Sequence, residues 1–338
     1  MSGYVIIFTA VIAFAVTALS GIILIPFLRK LKFGQTIKDI GPTWHKGKQG
    51  TPTMGGIMFI IGITVAVVTG YFILHTSSAT SIEGMYKVEG TIYLFAGLGM
   101  AILFGFVGFI DDYISVVKKR NLGLKARQKT VLQILITVAY IFVLYNEQGS
   151  VITLLDIPFV GQIDLGIFYY PLVVIAIYFL VNAVNLTDGV DGLASSVTFI
   201  AAVIFIIISA IVQKSGMGLL STALAGGCLG FLVWNFYPAK VFMGDVGSMF
   251  LGGLVVALGF GTFPVLLFLI GIIYIIEAMS VVLQVISFKT TGKRIFKMSP
   301  IHHHFEMKGW SETKIVLVFS IITIIFGILA IIGAKNII

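Results

Sequence analysis

The feature that most constrains this chain is a succession of ten apolar runs, each near the length that crosses a bilayer. They occupy 5–28, 54–74, 91–110, 130–145, 168–184, 193–213, 218–234, 248–262, 265–288 and 314–333. About 20 apolar residues in a helix cover the hydrocarbon layer. The runs at 168–184 and 248–262 are short. All are continuous rather than alternating, which selects helices over a β-barrel. No basic residue precedes the first run, and it is too long for a cleaved signal peptide, so it counts as a span. The expected fold is all-α: one integral membrane domain over 1–338. Composition agrees. Hydrophobic residues make up 58% and charged residues 11%, against about 25% charged in a soluble domain. This excludes a soluble enzyme and a disordered chain. The single Cys228 excludes a disulfide scaffold.

Ten spans place both termini on one side. The excess of Lys and Arg behind the net charge of +8 indicates which. Segment 29–53 carries Arg29, Lys30, Lys32, Lys38, Lys46 and Lys48. Segment 111–129 carries Lys118, Lys119, Arg120, Lys125, Arg127 and Lys129, and segment 289–313 carries Lys289, Lys293, Arg294, Lys297 and Lys308. The alternate loops hold Lys87 and Lys214. The basic loops are therefore expected in the cytoplasm and both termini outside. Segment 146–170, the longest external loop, has Pro158, Gly161 and Gly166 between apolar pieces, the pattern of a short hairpin.

Most cytoplasmic acids cluster at the ends of spans: Asp111 with Asp112, Asp188 with Asp191, and Asp245. A carboxylate at that depth is costly unless paired, hydrated or bound to a metal. Adjacent helical residues diverge by about 100°, so Asp111 and Asp112 face different groups. In Asn185-Leu-Thr-Asp188-Gly-Val-Asp191-Gly192, two acids and an amide converge in a turn whose glycines admit a close ligand; an Asx turn or a calcium-type structural turn has the same composition. A third polar island, 235–248, contains Asn235, Lys240, Phe242 and Asp245, with Asp245 between glycines just before the eighth span. Phe242 fits either a stacking surface or an interfacial anchor.

The last basic loop contains Pro300-Ile-His302-His303-His304-Phe-Glu306. Three adjacent imidazoles do not easily share one tetrahedral metal, and no cysteine supports zinc, so donation to phosphate oxygens is the better use. Hard carboxylates favour Mg²⁺, which takes one or two of them and completes its shell with water and phosphate. With the basic loops, this describes a site for phosphorylated substrates at the inner membrane face. No P-loop and no dinucleotide fingerprint occur. No nucleic-acid partner is expected.

The motifs that carry this chemistry match a known family. The chain resembles the MraY family, the phospho-N-acetylmuramoyl-pentapeptide transferases, almost end to end. The matching segments are GPTWHKGKQGTPTMGG at 41–56, GFIDDY at 108–113, NAVNLTDGVDGL at 182–193, WNFYPAKVFMGDVGS at 234–248 and MSPIHHHFE at 298–306. The PTMGG and PIHHHFE segments are particular to this branch of the polyprenyl-phosphate N-acetylhexosamine-1-phosphate transferases. The resemblance implies that undecaprenyl phosphate attacks the β-phosphate of UDP-N-acetylmuramoyl-pentapeptide, giving lipid I and UMP for peptidoglycan. It implies a bacterial cytoplasmic membrane, Mg²⁺ and a homodimer.

By the same resemblance Asp245 is the magnesium ligand and a catalytic residue, Asp111 and Asp112 are the catalytic acidic pair, and His302 joins them. Asp188 and Asn235 belong to the nucleotide pocket, and Phe242 offers a stacking face for uracil. Lys48, Asn185, Asp191, His303 and His304 complete the substrate-binding set, with Arg127 and Lys129 where the family also places basic residues. Ser115 stands where many members carry a lysine; Lys118 and Lys119 are nearby. A phosphate monoester with a second pKa near about 6 is largely ionised at neutral pH, which favours direct attack, with Asp111 orienting, over an aspartyl-phosphate intermediate. Two other readings compete. A transporter would place its charges at the bilayer midplane, where Glu277 is the single acid well inside a run. A sibling enzyme would transfer N-acetylglucosamine-1-phosphate.

Overall fold

The computed structural model describes residues 3–31, 48, 50–79, 90–117 and 123–337. Residues 41–47 of the first motif, and Lys118 and Lys119, lie outside the described residues. Ten helices are long and apolar enough to cross a membrane, as the runs require. They are α1 (Gly3–Lys30), α2 (Ile57–Ala79), α3 (Thr91–Val117), α4 (Ala126–Gln148), α5 (Tyr169–Thr187), α6 (Leu193–Ile211), α7 (Ser215–Asn235), α8 (Gly244–Gly261), α10 (Ile272–Thr291) and α12 (Glu312–Ile337). Two short helices, α9 (Leu267–Ile270) and α11 (Ile301–Glu306), accompany them. The chain is a multi-pass, all-α membrane protein.

Three differences from the apolar runs bear on function. The third run stops at 110, but α3 continues to Val117, so Asp111 and Asp112 lie within a helix. The eighth starts at 248, but α8 begins at Gly244, so Asp245 is in its first turn and not in a loop before it. Glu277 is thus not the single acid inside a span. The ninth run breaks at Gly271, which separates α9 from α10; a Cβ there would meet the Leu267 carbonyl oxygen at 2.8 Å.

Helices in lipid gain little from hiding apolar surface from one another, so close backbone packing must hold them. The sequence supplies it as small residues on α7 and α8, the two spans with the most buried surface. Gly226 and Gly230 of α7 face the Ala10 and Phe14 carbonyls of α1, where a Cβ would come within 2.3 and 2.5 Å. On α8, Gly253 lies against Ala101 of α3 and Gly252 against Val181 of α5. Outward-facing leucines, isoleucines and phenylalanines on α1, α4 and α12 form a lipid-facing coat.

At one end of the bundle, strands β1 (Leu154–Ile157) and β2 (Gly161–Asp164) form the expected antiparallel hairpin, with Leu154 opposite Asp164. The Phe159 N–H donates to Asn336 Oδ1 at 2.6 Å, tying the turn to the end of α12. The ends of α3, α5 and α7 and the start of α8 lie at the opposite end, with all five clustered carboxylates.

The Lys/Arg distribution expects that end in the cytoplasm, and this is testable because Cys228 is buried. In intact cells a membrane-impermeant maleimide should label Val160→Cys on the hairpin and leave Arg294→Cys unlabelled until permeabilisation. The reverse pattern would invert the topology.

Candidate functional site

The site is built on the N-terminus of α8. Segment 52–56 clasps the chain just before it: the N–H groups of Gly55 and Gly56 donate to the carbonyls of Phe242 and Met243, both at 2.9 Å, and the Phe242 N–H donates to Pro52 at 2.8 Å. The clasp needs contact without side chains. A Cβ on Gly56 would lie 2.1 Å from Gly247 Cα, and one on Gly108 of α3 would lie 2.2 Å from the Asp245 carbonyl oxygen. The PTMGG motif is therefore a packing element that fixes the start of α8 against α3.

That start is electropositive, since its first N–H groups lack partners within the helix. Asp112 answers it from α3: its Oδ2 accepts the Val246 N–H at 3.1 Å. An acid so placed contributes about 0.3–1 kcal/mol. Asp111, one position earlier, faces elsewhere. Its Oδ1 accepts the Leu124 N–H at 2.8 Å, and its Oδ2 lies 3.9 Å from Lys129 Nζ. Lys129, in the first turn of α4, also donates to Asp245 Oδ2. Asn185 Nδ2 donates to Asp245 Oδ1 at 2.9 Å and to Ser248 Oγ at 2.8 Å. One ammonium thus stands between Asp111 and Asp245, with Asp112 just behind.

Beyond α5 the chain turns through 188–192. Asp191 is buried and fully engaged: Oδ1 accepts Lys48 Nζ at 2.7 Å and Oδ2 the Ala239 N–H at 2.9 Å. Lys48 also donates to Glu312 Oε2 at 2.6 Å, and the same oxygen accepts the Asp191 N–H at 2.9 Å. Burial alone would lower the Lys48 pKa, but the two carboxylates outweigh it and hold the ammonium above its ordinary value. Asn235 is a latch: its Oδ1 accepts the Gly192 N–H at 3.1 Å and its Nδ2 donates to the Val241 carbonyl at 2.9 Å. Asp188 differs. Its carboxylate is half-buried, and no described side chain donates to it. Enclosure by protein, then Asp245, Asp112 and Asp191, push it well above the usual carboxylate range.

The three histidines diverge. His302 Nδ1 lies 3.0 Å from Glu277 Oε1, and His303 Nδ1 lies 2.6 Å from Glu306 Oε2. His304 Nδ1 accepts the Lys297 N–H at 3.1 Å; burial first, then Lys308 and Lys297, hold this imidazole below its ordinary pKa. The triplet is three separate contacts, not a ligand set.

The structure brings Lys48, Asp111, Asp112, Asn185, Asp188, Asp191, Asn235, Asp245 and His302 to one end of the bundle. Phe242 is half-buried beside the clasp, and His304 turns away toward Lys297 and Phe296. Glu312 has no place in the sequence reading, and the contact of Lys129 with Asp245 is not visible there either. A lysine opening a span reads as topology, and Glu312 lies 264 positions from the lysine it holds. Among the described residues no three His, Cys, Asp or Glu side chains converge into a metal cage. The oxygen-only donors at Asp245, already facing a cation, fit a hard divalent ion that shares its shell with substrate phosphates.

Comparison with known proteins bears on this geometry. The model of "Glycosyl transferase family 4" matches residues 94–263, and "Phospho-N-acetylmuramoyl-pentapeptide-transferase signature 1" matches 48–60, the clasp and Lys48. Curated relatives that carry the name phospho-N-acetylmuramoyl-pentapeptide-transferase include the following three. That of Clostridioides difficile is 47% identical, covering 96% of this chain and 97% of its own. That of Desulforamulus reducens is 46% identical over 96% and 94%. That of Caldicellulosiruptor bescii is 47% identical over 96% of each.

Asp188 yields a pH prediction. A carboxyl whose folded pKa is raised contributes stability at low pH that is lost as pH rises through the folded value. Asp188→Asn removes that loss. In ligand-free protein the variant should melt at least about 2 °C above wild type at pH 8 and coincide with it at pH 4, read by thermal unfolding in detergent. Equal melting at both would show that Asp188 carries no such penalty.

Proposed function

Because the chain belongs to the phospho-N-acetylmuramoyl-pentapeptide-transferase family, we propose that it transfers phospho-N-acetylmuramoyl-pentapeptide from its UDP carrier to undecaprenyl phosphate, releasing UMP and lipid I at the cytoplasmic face of a bacterial inner membrane. The observation that carries this reading is the convergence of Asp111, Asp112 and Asp245 around Lys129 at one end of a ten-helix membrane bundle.

The two substrates impose the location. The lipid cannot leave the bilayer and the nucleotide cannot enter it, so they meet at an interface. Both carry phosphate, so cationic groups must offset their repulsion. Mg²⁺ held by Asp245 would supply most of that charge and polarise the reacting phosphoryl group. The protein's own part is positioning and electrostatics. Lys129, held by Asp111 and Asp245, offers its ammonium to an incoming phosphate. Asp111 sets where that ammonium points, and Asp112 acts through α8 by fixing its N-terminus. The lipid phosphate is already ionised at neutral pH, so its oxygen attacks directly without a general base. Asp188 and Phe242 face the nucleotide, while Asn235, Asp191 and Lys48 hold the loop that presents them. His302 braces the loop that carries Asp188 and Asp191 from the other side.

The test is UMP release by purified protein given Mg²⁺, undecaprenyl phosphate and each UDP-sugar in turn. Release is expected with UDP-N-acetylmuramoyl-pentapeptide and is abolished by chelation. Release with UDP-N-acetylglucosamine alone would transfer the reading to the sibling reaction. Asp245→Asn and Asp111→Asn should each lose at least about 10²-fold in kcat, the scale of one preorganised electrostatic contact. Near-wild-type turnover in folded variants would remove those residues from the mechanism.

A further inference from the structure

Glu277 stands apart from the five clustered carboxylates. It lies in the first third of α10 and is completely enclosed, at 0% exposure. A carboxylate inside a membrane helix is costly without a partner, so one that persists there is held by something. The Ser280 hydroxyl does not serve it, since it donates to the Glu277 backbone carbonyl at 2.7 Å. Its contacts come from α11: His302 Nδ1 is 3.0 Å from Oε1, and the His302 backbone N–H faces Oε2 at 3.5 Å.

His302 is equally enclosed: its Nδ1 stands at ion-pair distance from Glu277 Oε1 without hydrogen-bond geometry, and its Nε2 has no hydrogen-bond partner among the described residues. That nitrogen lies against Gly189, where a Cβ would come within 2.2 Å of it and within 2.7 Å of Cε1. The ring therefore spans from Glu277 on one side to the loop carrying Asp188 and Asp191 on the other. Gly189 is required there because any side chain would displace the imidazole. The other ionisable groups packed around the ring are His303, whose ring centroid is 4.1 Å away and which is paired with Glu306, and Lys48 with Glu312 beyond Asp191.

We propose that Glu277 is a positioning residue, which fixes His302 with Nδ1 toward the carboxylate and Nε2 toward the Asp188 loop. Which imidazole nitrogen is free for a ligand is set by the hydrogen bond the other one makes. With Nδ1 directed to Glu277, Nε2 is the nitrogen that packs against the Asp188 loop. The proposal rests on the reading of His302 as part of the active site. A neutral amide at 277 has the same size but presents both a donor and an acceptor, so it no longer dictates the ring's orientation.

The experiment is a double-mutant cycle on UMP release, with kcat, KM for each substrate and Tm measured for wild type, Glu277→Gln, His302→Gln and the double variant. Glu277→Gln should lower kcat about 10–100-fold, the usual effect of removing a partner that orients a functional histidine, while KM and Tm stay near wild type. The double variant should be no slower than His302→Gln, because Glu277 acts through that ring. Glu277→Asp, which keeps the charge, should recover part of the loss, and Gly189→Ala should reproduce it from the other side of the ring. If the two losses multiply, or if Glu277→Gln lowers Tm with kcat per folded molecule unchanged, the positioning role is overturned while His302 keeps its place in the site. If His302→Gln alone turns over like wild type, the catalytic reading of His302 falls and this proposal with it.

Discussion

Like-charge crowding is the constraint on which the rest of the site depends. Five aspartates from α3, α8 and the turn after α5 share one end of the bundle. Two carboxylates about 5 Å apart repel by about 3 kcal/mol at an effective dielectric near 20, so each needs its own compensation. The structure supplies a different one to four of the five. Asp245 takes Lys129 and Asn185. Asp111 takes a backbone N–H and a share of the same lysine. Asp112 takes the start of α8, and Asp191 takes Lys48 and the Ala239 N–H. Asp188 takes nothing from the described side chains, and enclosure by protein, then its acidic neighbours, push its carboxyl up.

The rigidity this demands comes from residues with almost no side chain. Gly56, Gly108 and Gly247 let three backbones meet at Asp245, and Gly252 and Gly253 press α8 onto α5 and α3. Were these contacts made through long side chains, Asp112 could not reach the Val246 N–H while Gly108, four residues before it, lies against the Asp245 carbonyl oxygen. Packing in the membrane and electrostatics at its surface are here the same set of contacts.

The architecture was legible because an apolar run of bilayer length has few alternative meanings, and the hairpin was legible from Pro158, Gly161 and Gly166. The helical placement of Asp245 was not. Gly-Asp-Val-Gly reads as a turn, and what makes it a helix start is a carboxylate on a different span and a clasp from residues 52–56. The break at Gly271 was hidden for the opposite reason, since apolar residues continue on both sides of it. The acidic residues of the site could be named from their position at span ends, but their partners could not. Glu277 stands out as an acid inside an apolar run and Lys129 as a basic position of the family, but their partners, and Glu312 altogether, come from distant parts of the chain.

The tie between Lys48 and Glu312 links the segment before α2 to the first turn of α12, with the turn after α5 gripped between them. A ribosome makes these parts in order, and by the time α5 is inserted both Lys48 and Asp191 are available while Glu312 has yet to be synthesised. For that interval Lys48 has one carboxylate instead of two, and the Asp191 N–H lacks its acceptor. The completed arrangement exists once α12 has entered the membrane, so the order of synthesis keeps the acidic loop incompletely anchored until the bundle around it is finished.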